Sequence, residues 1–296
     1  MNTLKIIFAI MIPAFANAQT TSPEVVAAAG DFFSNNTHSL SWTLGEIAIE
    51  TYSGTTAVLT QGFQQPVTVS ITGVNLDLLV FLEGPYKNNG MQTELNNAGV
   101  LPLSQPYNIA PWNYAGNESV VSIPNGNVVD WVLVELRDAT SASTATASTI
   151  VGRQACFLTK DGTVTALDGS SKLYFNVTVN HNLYAVVWHR NHLGIMSANA
   201  LPHSGNLFAY DFSTSLNKVY NGGAGYKEIV SGVFGMISGD ANADKAINSS
   251  DKQLWTSKAG TKGYVPSDFN LDLQVDNKDK NDLLIHNENY SAQVPQ

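Results

Sequence analysis

From Gln19 to Ser238 hydrophobic and polar positions alternate in short runs, and no long stretch takes the spacing of an amphipathic helix. The first runs are Leu40–Leu44, Ile47–Tyr52 and Val58–Phe63, separated by turn clusters at Ser34-Asn35-Asn36 and Ser53-Gly54. Further on, Leu76–Leu82, Val120–Ile123, Val128–Glu135, Ile150–Leu158, Leu173–Val179, Leu183–His189 and Leu207–Phe212 are rich in Val, Ile and aromatics. Each is bounded by Gly, Asn, Asp or Pro, and all are predicted strands. Asp161-Gly162 and Asp168-Gly169 fit tight hairpin turns. Charged residues make up 13% of the chain, which suits sheets covered by Ser, Thr and Asn better than helices. Many short strands without intervening helices predict a mainly β fold, a β-sandwich. Thr140–Thr149 (TSASTATAST) is of low complexity and is expected to be an exposed, mobile loop.

The pattern differs at both ends. Met1–Lys5 is basic, Ile6–Phe15 is apolar, and Ala16-Asn17-Ala18 has the small-x-small form of a cleavage site, so residues 1–18 read as a secretory signal peptide. The apolar stretch is too short to span a bilayer. Loss of Lys5 would make the formal charge one unit more negative than −9, a balance that disfavours nucleic acid or anionic lipid as the main partner. Cys156, the single cysteine, leaves no disulfide framework, and its apolar neighbours predict a buried, inert thiol.

Near the C-terminus the apolar runs give way to two twelve-residue segments, Asp240–Asp251 and Asp268–Asp279, offset by 28 residues. Oxygen donors recur at positions 1, 3, 5, 7 (through the backbone carbonyl), 9 and 12, as in an EF-hand-like loop. The candidate ligands are Asp240, Asn242, Asp244, Ala246, Asn248 and Asp251, then Asp268, Asn270, Asp272, Gln274, Asp276 and Asp279. A hard cation taking six to eight oxygens suits this set, so two calcium ions are the expected cofactors. Eight of the 24 acidic residues lie between Asp240 and Asp282, spaced by apolar residues at fixed offsets; a solvated acidic tail would not need that spacing. Lys245 and Leu273 hold position 6, where the EF-hand loop takes Gly for its sharp turn. That departure weakens affinity or shifts the turn and removes no ligand.

Lys252–Lys258 and Lys280–Ile285 follow the loops as short amphipathic helices, and what precedes the first loop, Val233–Gly239, reads as a strand and a turn. Loop then helix, twice, over about Gly239 to Asn287, resembles the dockerin module. The resemblance implies one calcium per loop, a small helical bundle, and contact with a cohesin-like partner through positions 10 and 11. Here those are Ser249 and Ser250; the second repeat has Asn277 and Lys278, a departure that speaks against the usual two-way contact. Ser39–Glu46 (SLSWTLGE) and Leu59–Pro66 (LTQGFQQP) resemble an N-terminal segment of secreted Bacteroidetes proteins. His189–Ser197 (HRNHLGIMS) resembles a segment of large, haemagglutinin-like secreted proteins of that lineage.

Other constellations are weaker. His189 and His192 could share a helix face and hold zinc, but the flanks alternate like a strand and no third ligand is nearby. A strand end and turn, with Arg190 and His192 in surface hydrogen bonds, is the expectation. No Gly-x-Ser-x-Gly elbow is present. Glu83, Glu94, Glu118, Asp130 and Glu135 could supply the carboxylate pair of a glycosidase, although spacing does not bring any two together. Asn221–Tyr226 is Gly-rich without a following helix or Lys and is expected to be a loop. Trp131 and Trp188 sit inside strand patterns as core. Trp112 and Tyr114, on a Pro/Asn/Gly loop, are the candidates for stacking on a sugar.

Taken together, the expectation is a signal peptide (1–18), an N-terminal β segment (19–68), a β-sandwich (69–238), a dockerin-like tandem calcium module (239–288) and a tail (289–296). Such a chain would be a secreted or cell-surface calcium-binding protein, not an enzyme, adhesin-like and binding a glycan or a surface protein. The alternative is an accessory, cohesin-docked component of extracellular polysaccharide degradation.

Overall fold

The computed structural model describes residues 71–296 and, before them, four strands. The chain divides into two compact units, Met1–Thr68 and Val69–Gln296. In the first, β1 (Ala29–Ser34) pairs antiparallel with β2 (Ser39–Leu44), and β3 (Thr51–Ser53) with β4 (Val58–Thr60). The expected leader at 1–18 lies outside the described residues. So do parts of the two segments that carry the N-terminal resemblance.

The second unit is rich in β-structure. It begins with β5 (Ile71–Leu79) and a small hairpin of β6 (Tyr86–Lys87) and β7 (Gly90–Met91). Two larger sheets follow. One orders β10 (Val164–Thr165), β9 (Ile150–Thr159), β8 (Val128–Ala139), β12 (Asn182–Trp188) and β13 (Ile195–Met196), all antiparallel. The other orders β11 (Leu173–Val179), β5, β15 (Leu207–Asp211) and β14 (His203–Ser204), with β15 parallel to β5. A final hairpin, β16 (Tyr226–Val230) and β17 (Val233–Met236), leads into the C-terminal loops.

The period of two explains which side chains meet. In β5, Val74, Leu76 and Leu78 point inward, and in β11 Leu173 and Phe175 join them while Tyr174 faces solvent. From the other sheet Val132, Val134, Leu136, Cys156, Ala185 and Val187 enter the same core. Central strand β8 is buried on both faces. Its other face carries Trp131, Glu135 and Arg137, with Arg153 opposite Glu135 and Trp188 opposite Leu133. The segment Leu101–Ile123 lies over this face: Tyr107 donates to the Trp131 carbonyl at 2.7 Å, and Trp131 Nε1 to the Pro102 carbonyl at 2.8 Å.

Several expectations are corrected here. Val120–Ile123 is not a strand: an antiparallel bridge of Ser119 with Ser104 and the bond from Val120 N–H to the Leu103 carbonyl (2.8 Å) carry the pairing no further, and Val121 is 98% exposed. Thr140–Thr149 forms two short 3-10 turns packed on the sheet, with Ala145 fully buried against Tyr184, Val186 and Met196. Ala145, too small to read as core, fits under larger neighbours, while Ser143, Thr144, Ala147 and Ser148 are exposed as expected. Asp161-Gly162 does turn β9 into β10, with Gly162 at φ +87°. Asp168-Gly169 instead carries the chain from one sheet to the other, because β10 and β11 are not paired. Asn221–Tyr226 contains one helical turn, Gly222–Gly225. Among the described residues no helix is long and apolar enough to cross a membrane.

Candidate metal centre

The two acidic loops repeat one another bond for bond. In the first, Asp240 accepts from the backbone N–H of Asp244 (3.1 Å) and Lys245 (3.0 Å); in the second, Asp268 accepts from Asp272 (3.1 Å) and Leu273 (3.0 Å). Asn242 and Asn270 each accept from the N–H of the Asp two residues on and donate Nδ2 to its carboxylate. Asp251 closes its loop by accepting from Ala241 (2.8 Å), Asn242 (3.3 Å) and Asn248 (2.9 Å); Asp279 does the same with Phe269 (2.7 Å), Asn270 (3.1 Å) and Asp276 (2.8 Å).

The backbone turns as sharply as such a loop needs, without glycine. Ala243 and Lys245 have φ of +55° and +78°, and Leu271 and Leu273 have +57° and +77°. Left-handed geometry costs an L-residue on the order of 1 kcal/mol or more. Here the side-chain-to-backbone bonds at positions 1, 3 and 5 hold it in place. The apolar residues between the ligands supply the packing. Ala241, Ile247, Phe269 and Val275 form a buried cluster with Trp255, Leu283 and Leu284, joined by Leu193 and Ile237 from outside the loops. Closure is reciprocal. Ile247 exchanges backbone bonds with Asn289 and Tyr290, which follow the second loop's helix, and Val275 with Gly260 and Thr261, which follow the first.

Helices leave both loops. Ser249–Lys258 starts from Asn248, whose side chain caps Ser250 N–H at 2.8 Å while Asp251 bonds back to Asn248 N–H. Asp279–Leu284 winds with π-type bonds, such as Ile285 N–H to the Lys280 carbonyl. Positions 9 and 12 therefore serve both as candidate ligands and as helix caps.

Burial dominates the electrostatics of both loops. Burial, reinforced by the charge of Asp251, pushes the Asp240 carboxyl up to about 8. Burial raises Asp251 as well. In the second loop burial, against the opposing charge of Arg190, raises Asp268 to about 7, and burial raises Asp279 to about 6. Among the described residues no ammonium or guanidinium group bonds to the carboxylates of the first loop, and in the second only the Lys278 ammonium, 3.7 Å from Asp272, comes close. Packing carboxylates this way is costly unless a cation sits among them. Among the described residues no three His, Cys, Asp or Glu side chains are arranged to hold a metal by themselves. The loops would hold one with a mixed oxygen set, carboxylates together with amide and carbonyl oxygens, and that chemistry fits a hard divalent ion.

Ser249 and Ser250 are exposed on the first turn of the helix Ser249–Lys258, and Asn277 and Lys278 are exposed at the matching place.

The segment His189–Gly194 is not a surface turn. His189, Arg190, Asn191 and His192 are all buried. Asp130, deep in β8, receives Arg190 Nε (2.9 Å), His189 Nε2 (3.2 Å) and the Tyr264 hydroxyl (2.7 Å). Burial works against its charge, yet Arg190 and then His189 hold the carboxyl down at about 2. Arg190 also donates to the Val265 carbonyl at 2.7 Å and lies over the Tyr264 ring, 4.2 Å from its centroid. This phrase anchors the C-terminal loops to the five-stranded sheet. The sequence signal was present in β8 itself: charged residues in so apolar a strand must find buried partners.

Trp112 and Tyr114 are half-buried. Trp112 meets Tyr107 edge to face at 5.0 Å, and Tyr114 bonds to Glu118. Trp131 is core, whereas Trp188 is half-buried and lines a cavity beside Trp112. Cys156 is buried, and burial pushes its thiol well up. Of the other candidate acids, Glu83 is engaged by Lys227 and Asn287 and Glu135 by Arg137 and Arg153, while Glu94 opens the short helix Glu94–Asn97. No family model matches the chain, and neither curated proteins nor solved structures give a match.

Proposed function

We propose that this is a secreted, non-catalytic calcium-binding protein in which a β-sandwich forms the binding body and the dockerin-like C-terminal loops form a calcium-hardened cap. The observation that carries the reading is the identical hydrogen-bond network of Asp240–Asp251 and Asp268–Asp279, built on buried carboxylates that lack cationic partners in the first loop. Asp240, Asn242, Asp244, the Ala246 carbonyl, Asn248 and Asp251 would hold one ion. Asp268, Asn270, Asp272, the Gln274 carbonyl, Asp276 and Asp279 would hold the other. Calcium would supply the positive charge each cage needs, so binding would harden the cap.

A rigid cap is favoured over a mobile connector because Arg190 and Asn191 grip the module and its apolar cluster includes Leu193 and Ile237. An adhesin-like role in the extracellular space, with glycan or protein as the ligand, follows from the leader-like residues 1–18 and the aromatic positions around Trp112. A cohesin-like partner would meet Ser249 and Ser250. Calorimetry of the intact chain tests the reading. Two calcium ions should bind, one each being lost in Asp240→Ala and Asp268→Ala; absence of binding in millimolar calcium would overturn it.

A further inference from the structure

Beside the first loop lies a cavity of about 210 Å³, walled by Trp112, Trp188, Glu135, Arg137, Arg153 and Lys245 among others. It is smaller than the roughly 300–1,000 Å³ that takes a drug-sized ligand, so it has room for one ring and not for a chain.

Its charges do not cancel. Glu135 is spent: Oε1 takes Arg137 Nε and Nη2, both at 2.7 Å, and Oε2 lies 3.2 Å from Arg153 Nε in an ion pair without hydrogen-bond geometry. Arg137 is spent too, since its remaining Nη1 donates to the Ala145 and Pro295 carbonyls at 2.7 Å. Arg153 differs. Its two terminal nitrogens share one acceptor, the Trp112 carbonyl, at 3.2 Å each, and a quarter of the side chain is open to solvent. A guanidinium has five N–H donors, so Arg153 keeps donors to spare. Lys245 stands at the rim, bonded to Gln296 and 5.7 Å from the centroid of the Trp188 ring. With Glu135 answered by Arg137, the Arg153 guanidinium and the Lys245 ammonium remain, against one further carboxylate on the wall, Asp240, whose oxygens accept from the backbone of its own loop.

The aromatic half is equally ordered. Trp188 packs flat on Gly194, where a Cβ would come within 2.1 Å of the ring, and Trp112 is braced by Tyr107. Half-buried rings of this kind offer a pyranose a flat apolar face. We propose that the cavity binds a single carboxylate-bearing sugar, a uronic acid, with its carboxylate on Arg153 and Lys245 and its ring against Trp112. An arginine beside a stacked ring selects a planar anion through charge-assisted hydrogen bonds, which are about twice as strong as neutral ones. The proposal rests on the binding-protein reading but draws its charge mainly from the sheet and not from the calcium cages.

Titration calorimetry on the intact chain at saturating calcium tests it, with galacturonate, glucuronate, galactose and acetate as probes. A uronate should bind at least about tenfold more tightly than galactose or acetate. Trp112→Ala and Lys245→Gln should each weaken it, and Arg153→Gln should remove the preference over galactose. Equal affinity for galactose and uronate, or uronate binding untouched by all three variants, would overturn the proposal. No uronate binding while a neutral glycan binds would also overturn it, yet leave the binding-protein reading standing. No binding of any of the four probes would overturn the proposal, while two calcium ions bound by the same protein would leave the calcium reading standing.

Discussion

Asn191 donates its side-chain amide to the backbone carbonyl of Asp268, the first residue of the second acidic loop, at 2.7 Å. The same amide reaches the Pro266 carbonyl at 2.9 Å, and the Asn191 carbonyl accepts from Gly239 N–H, just before the first loop. One fully buried residue of the five-stranded sheet's margin thus touches the entrance of both loops. Asn191→Ala would strand the buried Asp268 carbonyl, at a cost of roughly 1–3 kcal/mol when left unpaired, and would free the more open Pro266 carbonyl. Thermal melting should show the loss, and calcium titration should show the second loop weakened more than the first. An unchanged melting temperature would mean the two loops do not depend on this grip.

Calcium removal should soften the second unit. At about a hundred times the dissociation constant, each independent site adds about 2.7 kcal/mol. For a unit of this size each kcal/mol moves the melting temperature by roughly 2–4 °C. Two filled loops should therefore raise it by roughly 10–20 °C over the chelated protein, and Asp251→Ala should remove about half of that rise. Differential scanning calorimetry in chelator and in calcium reads this directly.

How much of this was legible beforehand depends on the range of the interaction. Strand identity is local, and the runs at Val128, Ile150, Leu173 and Leu207 became strands within a few residues of their expected bounds. The loops were legible because their bonds run between residues two to ten apart. Asp130 with Tyr264, Arg137 with Pro295 and Arg190 with Val265 were not, since partners that distant leave no periodic trace. Val120–Ile123 misled for the opposite reason. Its composition is that of a strand, but its pairing with the segment at Leu103 and Ser104 stops at Val120.

Arg190→Met should be among the most damaging single changes. It would leave the Asp130 carboxylate buried with His189, Tyr264 and the Trp131 N–H but no full positive charge, and breaking one partner of a buried pair costs roughly 3–5 kcal/mol. Replacing both members, Asp130→Leu with Arg190→Met, should recover much of that loss, because the buried charge goes with its partner. Urea denaturation of the wild type, the single and the double variant measures the difference. A double variant no more stable than the single one would show that the pair's other bonds, to Val265 and Tyr264, matter more than the charge.

Acid should unlock the same region through its histidines. Burial lowers the pKa of His189 despite Asp130, and burial with the charges of His189, Arg190 and Lys227 lowers His192 well below the usual imidazole value. The contacts suit neutral rings: His192 Nε2 accepts from Gly84 N–H at 3.3 Å, its Nδ1 lies 2.9 Å from Asn191 Oδ1 and 3.0 Å from His189 Nδ1, and His189 Nε2 faces Asp130. This orders the protons in one direction, from His192 Nδ1 to His189 Nδ1 and from His189 Nε2 to Asp130. A proton added at His192 Nε2 would confront the Gly84 N–H. Because the folded pKa values are depressed, the unfolded chain binds more protons once pH drops below about 6.5, the ordinary histidine value. The stability these rings contribute is complete above that pH and is lost as pH falls toward the folded values. At saturating calcium the melting temperature should be flat between about pH 7 and 8 and decline below about 6. His192→Gln, whose amide oxygen can still accept from Gly84, should flatten that decline; a variant with the wild-type acid limb would assign the loss to other groups.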